Sequence, residues 1–201
     1  LKSPFLFDSS TRILENHNLR ITRLSLEEFR NAAFQAPGSK NRPLANISFA
    51  LNYFLHGYDT TGYHVVNIVI HMANGLLLFL FLAATLRLAR VQCDAVSCAT
   101  MAFLAAMIWF ANPLHTQSVT YIVQRANSMA AFFYLLAFCL YLQGKKSAKG
   151  LHQSWPWFAG ALAAWGLSLG CKQNAAVLPL FILIYEWYFF QDLNLSWLRR
   201  R

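Results

Sequence analysis

Four polar side chains, His64, Asn67, His71 and Asn74, recur at intervals of three, four and three residues inside an otherwise apolar run. At about 100° per residue they fall within a sector of about 80° on a helix, so they form a single stripe. Polar residues on a membrane helix face a bundle interior or a wet cavity. Two chemistries are open to this stripe: interhelical hydrogen bonding at about 0.6 kcal/mol a pair, or a direct hold on a substrate or metal through the imidazoles.

Cations gather near what the hydrophobic pattern makes the ends of helices. Asn112-Pro-Leu-His115-Thr-Gln117 precedes Arg125, and Cys171-Lys172-Gln173-Asn174 lies between two later apolar blocks. Arg as a bidentate fork and Lys as a point charge suit phosphate where a bundle meets its surface. The competing role is a snorkelling side chain that reaches headgroups. Asp8 is the sharpest acid, following an apolar stretch in Pro4-Phe-Leu-Phe-Asp8. Such a setting can raise a carboxylate toward general-base use, although a solvated loop aspartate is the ordinary case. Glu186 lies inside an apolar block, where a contact with Trp187 or the Lys145 loop outweighs chemistry. No P-loop, nucleophile elbow, HExxH or Rossmann glycine pattern is present.

The elements that must position these groups are written in the composition. The chain is 57% hydrophobic and 12% charged, with a mean hydropathy of +0.36; a soluble domain carries about 25% charged residues. The apolar residues form long blocks, and five of them approach the roughly 20 helical residues needed to cross a 30 Å hydrocarbon core: 63–86, 95–112, 119–142, 155–171 and 174–190. Helices satisfy their backbone hydrogen bonds in lipid, and the alternation of barrel strands is absent. The expected fold class is therefore an all-α membrane protein, a polytopic helical bundle. Residues 1–61 form an outer loop with amphipathic helices at Leu24 to Ala33 and Pro43 to Leu55, and residues 62–201 form the bundle. In the second amphipathic piece Leu44, Ile47, Leu51 and Leu55 recur at helical spacing and can lie in the headgroup region.

Orientation follows short-loop charge. Arg87 and Arg90 follow the first span, Lys145, Lys146 and Lys149 the third, and Arg199 to Arg201 the fifth, which places all three groups on the cytoplasmic side. The N-terminal loop and the turns at 112–118 and 171–173 then share the outer side. Trp155, Trp157, Trp187, Tyr188 and Trp197 sit near span ends as interfacial anchors. The net charge of +9 is explained by those flanking cations, and no groove-reading motif points to nucleic acid. Cys93, Cys98, Cys139 and Cys171 include no CxxC pair; they read as small buried hydrophobes rather than a disulfide framework or a zinc site. Asn46-Ile-Ser is a glycosylation sequon, which carries weight only in a secretory context.

The order of several blocks is more specific. A Phe-Asp pair in an outer loop is followed by Asn41-Arg-Pro-Leu-Ala-Asn-Ile-Ser-Phe-Ala-Leu-Asn-Tyr and Gly62-Tyr-His-Val-Val-Asn-Ile-Val-Ile-His. Asn112-Pro-Leu-His-Thr-Gln-Ser-Val-Thr-Tyr-Ile-Val-Gln-Arg and Cys171-Lys-Gln-Asn-Ala-Ala-Val-Leu-Pro come next. Together they resemble bacterial relatives of the transmembrane-and-tetratricopeptide (TMTC) O-mannosyltransferases, polytopic glycosyltransferases of the GT-C class. The resemblance implies transfer of a sugar from a polyprenyl-phosphate donor to a protein or glycan acceptor on the outer face of a membrane, the inner membrane in a bacterium, with the N-terminal loop periplasmic. It implies that Asp8 is the catalytic acid of the first outer loop, and that Arg125 and Lys172, joined by His115, hold the donor phosphate. It also implies an upstream span, in keeping with a start at Leu1, and downstream tetratricopeptide repeats that are not in this chain. Membrane lipids and other subunits of a membrane complex are the further partners; nucleic acid is not.

Two positions depart from the pattern. Ser9 stands where a second acid is typical, and Gln173 where a Glu follows the Lys. Both remove carboxylates, which disfavours a divalent metal, the one cofactor the class leaves open. They also keep open a non-catalytic alternative, a membrane-anchored scaffold or accessory subunit on the same fold. A small transporter fits less well, because the polar residues cluster at the outer face rather than at an inverted-repeat midplane.

Overall fold

A computed structural model describes Phe5 and residues 8–35, 41–88, 94–147, 151–191 and 193. Cys93, Arg90, Lys149, Trp197 and the Arg199 to Arg201 run lie outside the described residues. The described residues contain eight α-helices and no strand: α1 Leu26–Phe34, α2 Pro43–His56, α3 Thr60–Leu88, α4 Ala95–Phe110, α5 Thr116–Thr120, α6 Arg125–Lys146, α7 Leu151–Cys171 and α8 Leu178–Phe189. The protein is an all-α membrane protein, as its composition requires. Among the described residues two helical stretches, Thr60–Leu88 and Ile122–Lys146, are long and apolar enough to cross a membrane. The bent pair Ala95–Phe110 and Pro113–Thr120, angled by 54°, makes a third if it counts as one span.

Local chemistry sets the helix boundaries. Ser25 caps α1 by accepting from the Glu28 N–H at 3.2 Å, an S-x-x-E start. The Glu28 carboxylate reaches further back than a capping box, to the N–H groups of Thr22 and Arg23 at 2.8 and 3.2 Å. Pro43 opens α2, where its missing N–H costs nothing, and Gly57, at φ +56°, closes it. Asp94 caps α4 through the N–H groups of Val96 and Ser97, as an exposed N-cap carboxylate does.

The third hydrophobic block departs from its expected form. Instead of one helix from residue 119, the chain runs through a 3₁₀ turn at Pro113–His115, the short α5, an extended Tyr121 and a second 3₁₀ turn at Ile122–Gln124 before α6 begins at Arg125. Pro113 starts this interruption, since it cannot donate a helical hydrogen bond.

Two hydrophobic centres organise the molecule. One joins the N-terminal segment to α1, α2, the start of α3 and the start of α6 through Ile13, Leu19, Ile21, Ala32, Phe49, Tyr63 and Ile122. The other lies between α6, α7 and α8, around Phe138, Leu142, Ala164, Leu178 and Tyr185. The N-terminal segment thus caps one end of the bundle. In α2 the buried face is Ala45, Asn46, Phe49, Ala50 and Asn52, while Leu51 and Leu55 are turned outward. At the uncapped end Glu186 accepts from Lys145 Nζ at 2.6 Å and from the Tyr141 hydroxyl, the Lys145 contact that the sequence suggests. Cys98 is disulfide-bonded, contrary to the expectation for the four cysteines, whereas Cys139 and Cys171 are free.

Candidate functional site

The stripe on α3 faces inward at every position: His64, Asn67, His71 and Asn74 are all buried. Their partners are backbone carbonyls, those of the interrupted segment for His64, Asn67 and His71 and one within α6 for Asn74. The His71 Nε2 donates to Phe110 O at 3.3 Å and the His64 Nδ1 to Val119 O at 3.2 Å. Asn67 directs its amide at Val119 O and Ile122 O at 3.4 and 3.5 Å, and Asn74 donates to Ser128 O at 2.9 Å. A helix that breaks at Phe110 and again at Tyr121 strands carbonyls that lipid cannot solvate. The stripe supplies the missing donors. Of the two roles open to it, interhelical hydrogen bonding is the geometry found.

Arg125 is wholly buried. Its Nε donates to Asn67 Oδ1 at 2.8 Å, its Nη1 to Ser48 O at 3.2 Å and its Nη2 to Tyr63 O at 3.0 Å. The guanidinium also lies over the rings of Phe49 and Tyr63, at 4.8 and 5.4 Å from their centroids, a stacking that favours Arg over Lys. This corrects the expectation of a phosphate-binding fork: every guanidinium nitrogen is already engaged, and none of the side chain is accessible to a ligand. Arg125 instead ties α2, α3 and α6 together at the capped end. Ser48 and Phe49, Tyr63 and Asn67, and Arg125 come from three different sequence blocks, so those blocks converge on one structural knot.

Around this knot lies a group of accessible charges. Asp8 stands 3.9 Å from Arg12, four residues on. Its backbone N–H donates to the Tyr121 hydroxyl at 3.1 Å, which fastens the N-terminal segment to the interrupted helix. Arg42 feels both residues: burial and then the Arg12 charge lower its pKa, and Asp8 opposes them. Lys172 belongs to the same field, its pKa lowered from an ordinary 10.5 by burial first and by Arg42 and Arg12 next. Lys172 Nζ donates to Asn127 Oδ1 at 2.6 Å. The fold therefore brings Asp8 and Arg12 within electrostatic reach of Arg42, and Arg12 and Arg42 within reach of Lys172, although the group is spread over 165 positions of sequence from Asp8 to Lys172 when counted inclusively. Lys172 and Asn127 stand at one wall of a cleft of about 450 Å³ whose other walls include Leu78, Trp109, Ala131, Tyr134 and Leu135. A cation at the edge of an apolar slot matches an amphiphile with an anionic head.

His115 is placed differently from the expected phosphate ligand. Its ring packs 4.4 Å from Trp109 and 5.7 Å from His71 by centroid. Because Trp109 also lines the cleft, His115 borders the slot through that indole rather than through a contact with Lys172. Ser9 is buried, and its hydroxyl has no hydrogen-bond partner among the described residues. Among the described residues no three His, Cys, Asp or Glu side chains could hold a metal ion together. The cations around Asp8 would repel a divalent metal, so the site does not fit one. Sequence reasoning missed Arg12, Arg42 and Tyr121; the only signal for them was that Arg42 and Tyr121 sit inside the two blocks Asn41-Arg-Pro and Val119-Thr-Tyr.

No family model matches the chain, and no solved structure matches it significantly. Among curated proteins, mouse protein O-mannosyl-transferase TMTC2 is 27% identical over 202 residues, which take in 98% of this chain and 23% of that protein. Drosophila melanogaster Tmtc3 is 28% identical over 94% of the chain and 22% of its own length. Mouse TMTC4 is 31% identical over 85% of the chain and 25% of its own length. The chain is thus related, over most of its length, to the TMTC protein O-mannosyl-transferases, and spans about a quarter of the curated relatives it matches.

Proposed function

We propose that this chain forms the donor-binding end of a GT-C membrane glycosyltransferase that moves a sugar from a polyprenyl-phosphate to an acceptor hydroxyl on the outer face of its membrane. The sugar is mannose by the names of the relatives. The observation that carries the reading is the position of Lys172, at the edge of an apolar cleft and within the field of Arg42 and Arg12, which in turn adjoin Asp8. The polyprenyl chain occupies the cleft, and Lys172 and Arg42 hold the phosphate, with Arg12 adjoining. Arg125 holds the frame beneath them.

In the reaction Asp8 takes the proton from the acceptor hydroxyl as its oxygen bonds to the anomeric carbon. The bond from that carbon to the phosphate oxygen breaks, and the electron pair leaves with the polyprenyl phosphate, whose new charge the cations stabilise. General-base catalysis is worth about 10²- to 10⁴-fold. In the full chain reconstituted in nanodiscs with polyprenyl-phosphate mannose, Asp8→Asn is expected to lower transfer by that factor while donor binding persists. Lys172→Gln is expected to weaken donor binding. Unchanged transfer in Asp8→Asn would overturn the role of the acid.

A non-catalytic reading is favoured by one specific feature: Ser9 and Gln173 remove the two further acids, leaving Asp8 beside Arg12 and Arg42. Saturable donor binding by the unaltered chain with no transfer to any acceptor would support that scaffold role instead.

A further inference from the structure

At the uncapped end of the bundle a second cleft, of about 420 Å³, opens between α3, α4, α6 and α7. Its walls are apolar, formed by Leu80, Ala83, Leu136 and Leu140 among others, and Trp157 stands beside it. Two cations from different helices, Arg87 in the last turn of α3 and Lys146 in the last turn of α6, belong to its lining. Neither forms an ion pair or hydrogen bond with any of the described residues, in contrast to neighbouring Lys145, which is committed to Glu186. Both are exposed. Gln143 adds a polar group at the same cleft.

We propose that this cleft is a binding site for an anionic phospholipid, with the headgroup phosphate between Arg87 and Lys146 and an acyl chain along the α3–α6 wall. Charge complementarity commits the site to that occupant. Two cations with no ion pair among the described residues line one apolar slot at a helix end, where basic pockets between membrane helices take anionic headgroups, and an indole lines the same slot, as aromatic anchors near headgroups do. A zwitterionic lipid would bring its own cation to a site that already holds two. The site is independent of the donor-site reading. Its cations lie toward the opposite end of α6: Lys146 is about 29 Å along the helix from Asn127, the partner of Lys172, at 1.5 Å per residue.

The test uses the full chain in nanodiscs of phosphatidylcholine doped with phosphatidylglycerol, with retained lipid counted by native mass spectrometry and the dissociation constant obtained by titration. The expected result is saturable retention of one phosphatidylglycerol. Each cation removed weakens it roughly fivefold, so Arg87→Gln with Lys146→Gln weakens it on the order of 25-fold without altering the thermal midpoint in pure phosphatidylcholine. Ala83→Trp, which leaves both cations and fills the slot, is expected to abolish retention as well. Linear, unsaturable uptake would reduce the cations to ordinary snorkelling and overturn the site. So would equal retention of phosphatidylcholine, an undiminished affinity in the double variant, or displacement of the lipid by inorganic phosphate.

Discussion

The Nε of Arg125 and the Oδ1 of Asn67 meet at 2.8 Å, 58 residues apart and out of reach of solvent. Without Asn67 the guanidinium would keep its charge and lose its shortest partner. Asn67→Ala is therefore expected to cost about 1.5–3 kcal/mol, the range for a hydrogen bond to a charged group, and to lower the thermal midpoint in detergent by on the order of 5 °C. Arg125→Gln should be at least as damaging. Donor affinity, measured on the folded fraction, should stay unchanged in both; a loss specific to donor binding would restore Arg125 to the phosphate site.

With Lys172 in its proposed place against the donor phosphate, donor binding should be sensitive to alkali. Burial and the charges of Arg42 and Arg12 hold the pKa of Lys172 below 10.5, so its ammonium is lost at a lower pH than for a solvated lysine. Donor affinity measured against pH should fall at the alkaline end before pH 10.5, and Arg42→Gln should move that fall upward. Stability runs the other way. The unfolded chain binds the extra proton between the folded and ordinary values, so this group's contribution to stability rises with pH through that window.

Tyr121 anchors Asp8 through the acid's own backbone N–H. Tyr121→Phe keeps the ring and removes that acceptor, so it should cost no more than about 1.5 kcal/mol of stability while lowering transfer by a few-fold to about 100-fold through misplacement of the base. A proportionate drop in stability and activity would mean that the hydroxyl only holds the fold.

The sequon at Asn46 should remain unmodified. Asn46 is buried, and its Nδ2 donates to Ala33 O at 3.3 Å, so a glycan there would have to displace α1. After expression in a secretory eukaryotic host, glycosidase treatment should leave the electrophoretic mobility unchanged; a shift would show that α2 is exposed before it docks.

What could be read beforehand follows from the range of each signal. The polar stripe is local, since four residues on one helix carry their own angular relationship, and the inward direction follows from the cost of polar groups in lipid. Apolar block length is also local: the block 63–86 falls inside α3, Thr60–Leu88. Arg125 is the opposite case. Whether an arginine beside a helix start is free or sealed depends on which other elements fold over it, and neither the Phe49 ring nor the Tyr63 carbonyl advertises that destination. Arg42 and Tyr121 escaped notice for the same reason, because their importance comes from neighbours more than 75 positions away, Lys172 for the first and Asp8 for the second. The break at Tyr121 is legible only in part: Pro113 announces an interruption, but its length is set by the carbonyls that α3 can accommodate.

That interruption has a consequence for anyone who maps this chain by random mutagenesis. The segment from Phe110 to Arg125 is propped by α3 and in turn carries the anchor of Asp8, so errors in α3 propagate to a carboxylate they never touch. A loss-of-function screen would rank His64, Asn67 and His71 beside Asp8. Only a parallel measure of folded abundance would separate the scaffolding positions, whose defects should be rescued by low temperature, from the proposed base, whose defect should not.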